Sequence, residues 1–444
     1  MSDRAPSATL AIAATFTAEP LLPGLSLVLE EAGLALTPQC APYNQIFQEL
    51  LAPAGLLTLN AGGANLILLR IEDFVREVAE PQSVPALIDR GAREVCAALA
   101  QFAQRSRSPT VLAVLPPSPS GDSDIISRLS VATERVREQA SGLPGIYLLS
   151  DADIDRVSDG ERDDPLRDEL AHIPYTEQFY ASLALAVGRK LHAVLVPAHK
   201  VLVLDCDNTL WGGVIGEDGL QGIRISEAML QVQRFACRVQ AAGTLICLAS
   251  KNAERDVLEV FSKHASMVLK SEHIVAHRIN WRSKAENIAS LASELKLGLD
   301  AFVLLDDNPV ECAQIHAALP QVVALQLPEE SQIERFLSHL WPFDKVAVTA
   351  EDQRRTSLYR ENAARQQLEE SATDIETFIA SLQLNVDVRA PQESEWPRLA
   401  QLTQRTNQFN FTTLRRSEAQ LRALAAAGAT VLRVRVTDRF GDYG

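Results

Sequence analysis

The chain has 444 residues, 47% of them hydrophobic and 22% charged, a composition that excludes bulk disorder. This length exceeds one typical core and points to roughly two to four domains. Lys and Arg number 42 against 57 Asp and Glu, and the net charge of −15 gives no basic field to attract nucleic acid or an anionic membrane.

Strand-like apolar runs over 10–14, 65–69, 111–115 and 146–149 alternate with helix-like stretches, which predicts βα units around a parallel sheet. This first domain is expected to span 1–196, because Pro197 interrupts helical periodicity just before a new apolar strand. The second, 197–344, repeats the logic. Strands are predicted over 201–204, 244–249 and 301–305, with helices over 226–242, 252–264 and 283–296 and another opening near Pro309. Beyond Lys345 the chain turns polar and helical over 351–382, continues through 384–388, and shows a period-two strand pattern over 430–436. That last strand has no evident following partner before Asp442-Tyr443-Gly444, so 345–444 reads as a truncated domain.

Six cysteines, Cys40, Cys96, Cys206, Cys237, Cys247 and Cys312, are scattered with no C-x-x-C spacing and read as reduced thiols. Met1-Ser2-Asp3-Arg4 lacks the layout of a signal peptide, and no apolar stretch approaches membrane-spanning length. The expectation is a cytoplasmic protein without a membrane partner.

Four short segments carry the chemistry. Asp205-Cys206-Asp207-Asn208-Thr209 follows the strand over 201–204, and residues two apart share a face in extended chain, so Asp205 and Asp207 can address one phosphorus. Ser250 ends the next strand, Lys284 lies in Asn280-Trp281-Arg282-Ser283-Lys284, and Asp306-Asp307 ends a third strand. Open parallel sheets gather ligands at the carboxyl ends of their strands, so Asp205, Ser250 and Asp306-Asp307 are expected to converge. An isolated D-x-D is more often a solvated loop, Lys284 alone could be a solvent-facing helix residue, and Lys251 is a rival phosphate ligand. The four-glycine stretch Trp211 to Gly219 makes a compact flap with no room for an inserted cap.

In this order the four segments resemble the motifs of the haloacid dehalogenase (HAD) superfamily of aspartyl-phosphate phosphatases. The resemblance implies that Asp205 is the nucleophile and Asp207 the general acid and base. It implies Mg²⁺ held by Asp205, the Asp207 carbonyl and one of Asp306 or Asp307, with Thr209, Ser250, Lys251 and Lys284 around the phosphate.

The longer run from Leu204 to Gly219 resembles the FkbH-type glyceryltransferase/phosphatase group (subclass IIIC) of polyketide and mixed peptide assembly lines. Asn280-Trp281, Asp306-Asp307-Asn308-Pro309-Val310-Glu311, Thr403 to Asn410, Ala41-Pro42-Tyr43-Asn44-Gln45 and His172-Ile173-Pro174-Tyr175 agree with it. It implies that 1,3-bisphosphoglycerate is dephosphorylated and its glyceryl unit loaded onto a phosphopantetheinylated acyl carrier protein. The alternative is a simple phosphatase acting on a small phosphoester. Cys206 is a candidate for a transient glyceryl thioester, against the plainer reading of a small packed residue.

The implied architecture is α/β: a HAD-like Rossmannoid parallel sheet without a large cap, preceded by an SGNH-hydrolase-like domain and followed by a partial GNAT-like α+β segment. The first domain lacks the expected nucleophile, since its first strand leads into Ala14-Thr15-Phe16-Thr17 and Gly121-Asp122-Ser123 falls in a later loop. Asp168 and His172 are therefore expected to be structural, and the domain to dock or shape substrate. Asn407 to Phe411 reads as a core turn or a contact to the carrier's arm. Arg354-Arg355 and Arg415-Arg416 read as solvated helix charges or a local patch for an acidic carrier.

Overall fold

The computed structural model describes residues 8–76, 78, 81–348, 350–372, 374–405 and 416–443. Met1 to Arg4, Thr406 to Phe411, Arg415 and Gly444 lie outside the described residues. The chain divides into two compact units, 1–349 and 350–444.

The first unit holds two five-stranded parallel sheets. One comprises β1 (Ala8–Ala14), β2 (Leu36–Cys40), β3 (Ala64–Leu69), β4 (Thr110–Val114) and β5 (Ile146–Leu149), in the order β2-β1-β3-β4-β5. The other comprises β6 (Val201–Leu204), β7 (Leu245–Ser250), β8 (Ile274–Ile279), β9 (Phe302–Asp306) and β10 (Val323–Gln326), in the order β10-β9-β6-β7-β8. Every residue of β6, β7 and β9 is buried, because helices cover both faces of a parallel sheet. On one face Leu202, Leu204, Ile246, Leu248, Val303 and Leu305 form a core with Trp211, Val232, Phe235 and Val257.

Three strands of these sheets escaped the pattern reading. β2 contains Pro38 and alternates between half-buried and exposed, as an edge strand does. β8 and β10 are the edges of the second sheet and mix polar with apolar residues, so neither shows the continuous run of an interior strand. The glycine-rich flap is more ordered than expected. Ile215–Gly222 is a short helix interrupted at Gly219 (φ 66°), and Gly212 pairs with Arg224 in an antiparallel bridge.

The unit 350–444 contains helices Ala350–Ser371, Ile375–Leu382, Trp396–Arg405 and Glu418–Ala426 and two antiparallel strands, β11 (Asn385–Arg389) and β12 (Arg433–Thr437). The strand expected over 430–436 begins at Arg433 and pairs back onto β11, an earlier strand, while the turn after it is closed by Asp438. Among the described residues no helix is long and apolar enough to cross a membrane.

Candidate active site

In the second sheet the chain leaves β6 toward β7 and β8 on one side and returns to β9 and β10 on the other, so the strand order reverses between β6 and β9. Loops leaving neighbouring strands in opposite directions open a crevice at that point. Into it project Asp205, which follows β6, Ser250, the last residue of β7, and Asp306-Asp307 from the end of β9. The predicted convergence is present.

Lys284 Nζ lies 3.2 Å from Asp205 Oδ2 and also ion-pairs with Asp306. It opens the helix Lys284–Leu295, whose N-terminus carries a Ser283/Glu286 capping box. A cation in the first turn opposes the helix dipole, so the two carboxylates are what hold this buried ammonium in place. Both they and desolvation act on it, and the net effect raises its pKa. Lys251, the rival, is half exposed and pairs with Glu311 Oε1 at 2.5 Å.

Burial pushes the Asp205 carboxyl up to about 7; Lys284 works against that shift and Asp306 adds to it. One carboxyl oxygen from each of Asp205, Asp306 and Asp307 comes within 4.8 Å of the others. Three carboxylates facing one ammonium leave excess negative charge and an all-oxygen donor set, which suits a hard divalent cation such as Mg²⁺. Asp306 is fully buried, with Oδ1 accepting from the Asn308 amide at 2.9 Å. Asp307 borders the cleft and accepts from Thr209 Oγ1 at 3.4 Å.

Asp207 is held on both oxygens. Oδ1 accepts from Trp211 Nε1 (2.8 Å) and the Ile215 amide (3.2 Å), and Oδ2 from Asn252 Nδ2 (2.9 Å), which also reaches Ser250 Oγ at 3.1 Å. Asn252, Trp211 and Glu311 are the site-forming residues that sequence reasoning missed. For Asn252 a signal existed, since it stands two residues beyond Ser250 and an extended chain returns it to the same side. Thr209 corrects its expected role: it is wholly buried and braces Asp307 instead of lining the cleft. Cys206 is also wholly buried; desolvation pushes its thiol well above the ordinary range, and Asp205 adds to this.

The cleft itself, lined by Asp205, Asp207, Ser250, Lys251, Lys284 and Asp307 among others, has a volume of about 170 Å³. A larger hollow of about 440 Å³ lies beside Arg189, Phe235 and Asp344. Its carboxylates, Asp153 and Asp344, are each paired with a basic side chain and do not cluster as Asp205, Asp306 and Asp307 do, so chemistry and not size selects the smaller cleft.

No family model and no curated protein matches the chain. A solved structure does: the N-terminal part of the protein BF1531 from Bacteroides fragilis, containing a phosphatase domain, complexed with Mg. The two are 20% identical, with a TM-score of 0.64 over 77% of this chain and 95% of that one. At that identity the likeness is one of fold, and the chain has the α/β architecture of that phosphatase-containing protein.

Proposed function

We propose that the chain is a Mg²⁺-dependent HAD-type phosphatase of the FkbH-like group that also loads a glyceryl unit onto an acyl carrier protein. The observation carrying this reading is the lysine shared by Asp205 and Asp306 beside an Asp207 fixed by three donors. Such an arrangement suits two-step phosphoryl transfer. Asp205 attacks phosphorus and becomes a phosphoaspartate while Asp207 protonates the leaving oxygen. Asp207 then takes a proton from the water that releases phosphate. Lys284 and the Ser250 hydroxyl face the transferring oxygens, where a fixed cation and donor stabilise developing charge. Mg²⁺, held by Asp205 with Asp306 and Asp307, would supply further neutralisation of the phosphoryl group.

The substrate reading is 1,3-bisphosphoglycerate, whose C1 acyl phosphate is an activated carboxyl and whose C3 ester needs the Asp205 chemistry. An open cleft leaves room for a tethered acceptor, and Lys251 at its mouth meets a second anionic group by giving up Glu311. A glyceryl thioester on Cys206 requires the turn after β6 to open, since the thiol is wholly buried. In this reading the first sheet is an SGNH-like domain, 345–444 a partial GNAT-like one, and the protein cytoplasmic.

Incubation of the chain with Mg²⁺, 1,3-bisphosphoglycerate and a phosphopantetheinylated carrier protein tests this by mass spectrometry. A glyceryl adduct with phosphate release is expected. Phosphate release without the adduct would leave a small-molecule phosphatase.

A further inference from the structure

The first sheet has its own point where strand order reverses, between β1 and β3, and polar side chains converge there. Thr15 follows β1, Tyr43 stands in the loop after β2, and Asp73 lies in the short helix Ile71–Val75 after β3. His172 caps the helix Pro165–Ala171. Tyr43 Oη is 2.5 Å from His172 Nδ1, and His172 Nε2 is 3.0 Å from Asp73 Oδ1. The other Asp73 oxygen accepts from Thr15 Oγ1 at 2.6 Å. A carboxylate can only accept, so the proton of neutral His172 sits on Nε2 and Nδ1 faces the phenol as a base.

The order phenol, imidazole, carboxylate is the relay of a nucleophile, its base and the group that orients the base. Burial fits the roles: His172 is 7% exposed, whereas Tyr43 is 55% exposed and reachable. Asn44 (φ 54°) and His172 (φ 52°) are both left-handed, His172 as the C-cap of its helix, which fixes where its ring leaves the chain. The main chain of His172 is fixed against the end of β1, its carbonyl accepting from the Thr17 amide at 3.0 Å. Tyr175, wholly buried with the Arg70 guanidinium over its ring, has a hydroxyl with no partner among the described residues.

Charge decides the substrate class. Around His172, Arg70 and Arg76 are matched by Glu72, Asp73 and Asp168, so among the described residues no surplus cation awaits a phosphate. A neutral electrophile fits better. We propose that Tyr43 is the nucleophile of a second site, activated by His172 with Asp73 behind it, and that it accepts an acyl group from an ester or thioester. The phenol oxygen forms a bond to the acyl carbon while its proton passes to His172 Nδ1. The bond from that carbon to the leaving oxygen or sulfur breaks, and Nδ1 returns the proton to the leaving group. Water, deprotonated by the same nitrogen, then hydrolyses the aryl ester and restores the phenol. This gives the first sheet a chemistry of its own, beyond docking or shaping substrate, and it does not rest on the phosphatase reading.

The test uses the full chain and p-nitrophenyl acetate, with acetylation mapped by peptide mass spectrometry. Tyr443 is the internal control: it is 52% exposed but bonded to the Asp438 carboxylate instead of an imidazole. Acetylation of Tyr43 is expected to be faster than that of Tyr443 by about 100-fold, the lower range of general-base assistance. Tyr43→Phe, a surface change, removes the label at that position and lowers p-nitrophenolate release, with phosphate release from a monoester unchanged. Asp73→Asn, which keeps the side chain's shape, slows labelling of Tyr43 by at least about tenfold. Equal labelling of Tyr43 and Tyr443, or undiminished p-nitrophenolate release in Tyr43→Phe, would overturn the proposal.

Discussion

Replacing Lys284 with Met removes the one ammonium that Asp205 and Asp306 share while keeping a chain of similar length. The lysine side chain is 4% exposed, that of Asp306 0% and that of Asp205 11%, so the carboxylates left behind are shielded from water. Breaking a buried pair by deleting one partner costs about 3–5 kcal/mol, because a desolvated charge is left uncompensated. Protonation limits the damage. Asp205, already raised to about 7 by burial, rises further once the opposing lysine is gone. A carboxyl with a folded pKa above its unfolded one stabilises the fold at low pH and loses that contribution as pH climbs through the folded value. The deficit of Lys284→Met is therefore expected to be small at pH 5 and clearly larger at pH 8, still growing as Asp205 goes on ionising. Saturating Mg²⁺ at about 100 times its dissociation constant returns up to about 2.7 kcal/mol to either protein. Urea unfolding at pH 5 and pH 8, with Mg²⁺ and with chelator, measures all three quantities. A variant matching the parent at pH 8 without Mg²⁺ would refute the idea that the lysine holds the carboxylates together.

Asp205→Asn abolishes phosphate release, and in chelator it flattens the fall in stability between pH 4 and 7 that the raised carboxyl imposes, which parallel unfolding curves check. Asn252→Ala removes the donor on Asp207 Oδ2, and turnover is expected to drop by about tenfold with little change in KM, read from steady-state kinetics on a small monoester. Cys206→Ala keeps phosphate release within about threefold, because the thiol is wholly buried and outside the cleft lining, and it costs about 1 kcal/mol of stability from lost packing. A collapse of monoester turnover in Cys206→Ala would place the thiol in the phosphoryl step instead.

The interior of the second sheet was legible because both of its faces are covered. β6, β7 and β9 had to be apolar through their buried lengths, and the first polar residue at the end of each run marks where the strand meets the crevice. Asp205, Ser250 and Asp306-Asp307 stand out for that reason alone. Edge strands obey a weaker constraint: β2 tolerates Pro38, and β8 carries His277 and Arg278. Contacts between distant segments leave no local pattern at all. Lys251 with Glu311, Tyr43 with His172, and His172 with Asp73 span 60, 129 and 99 positions, distances over which composition and periodicity carry no information.

The turn after β6 has its Cys206 carbonyl accepting from the amides of Thr209 (3.3 Å), Leu210 (2.8 Å) and Trp211 (3.4 Å). The Asp205 and Asp207 carboxylates thus ride on a single knot of backbone, and thermal jostling of the strand shifts them in unison. Their mutual spacing is insulated from such motion, whereas the gap to Ser250 and Lys284, borne by other elements, is not. Drift in neighbouring loops can therefore reshape the cleft without altering how the two carboxylates stand to each other.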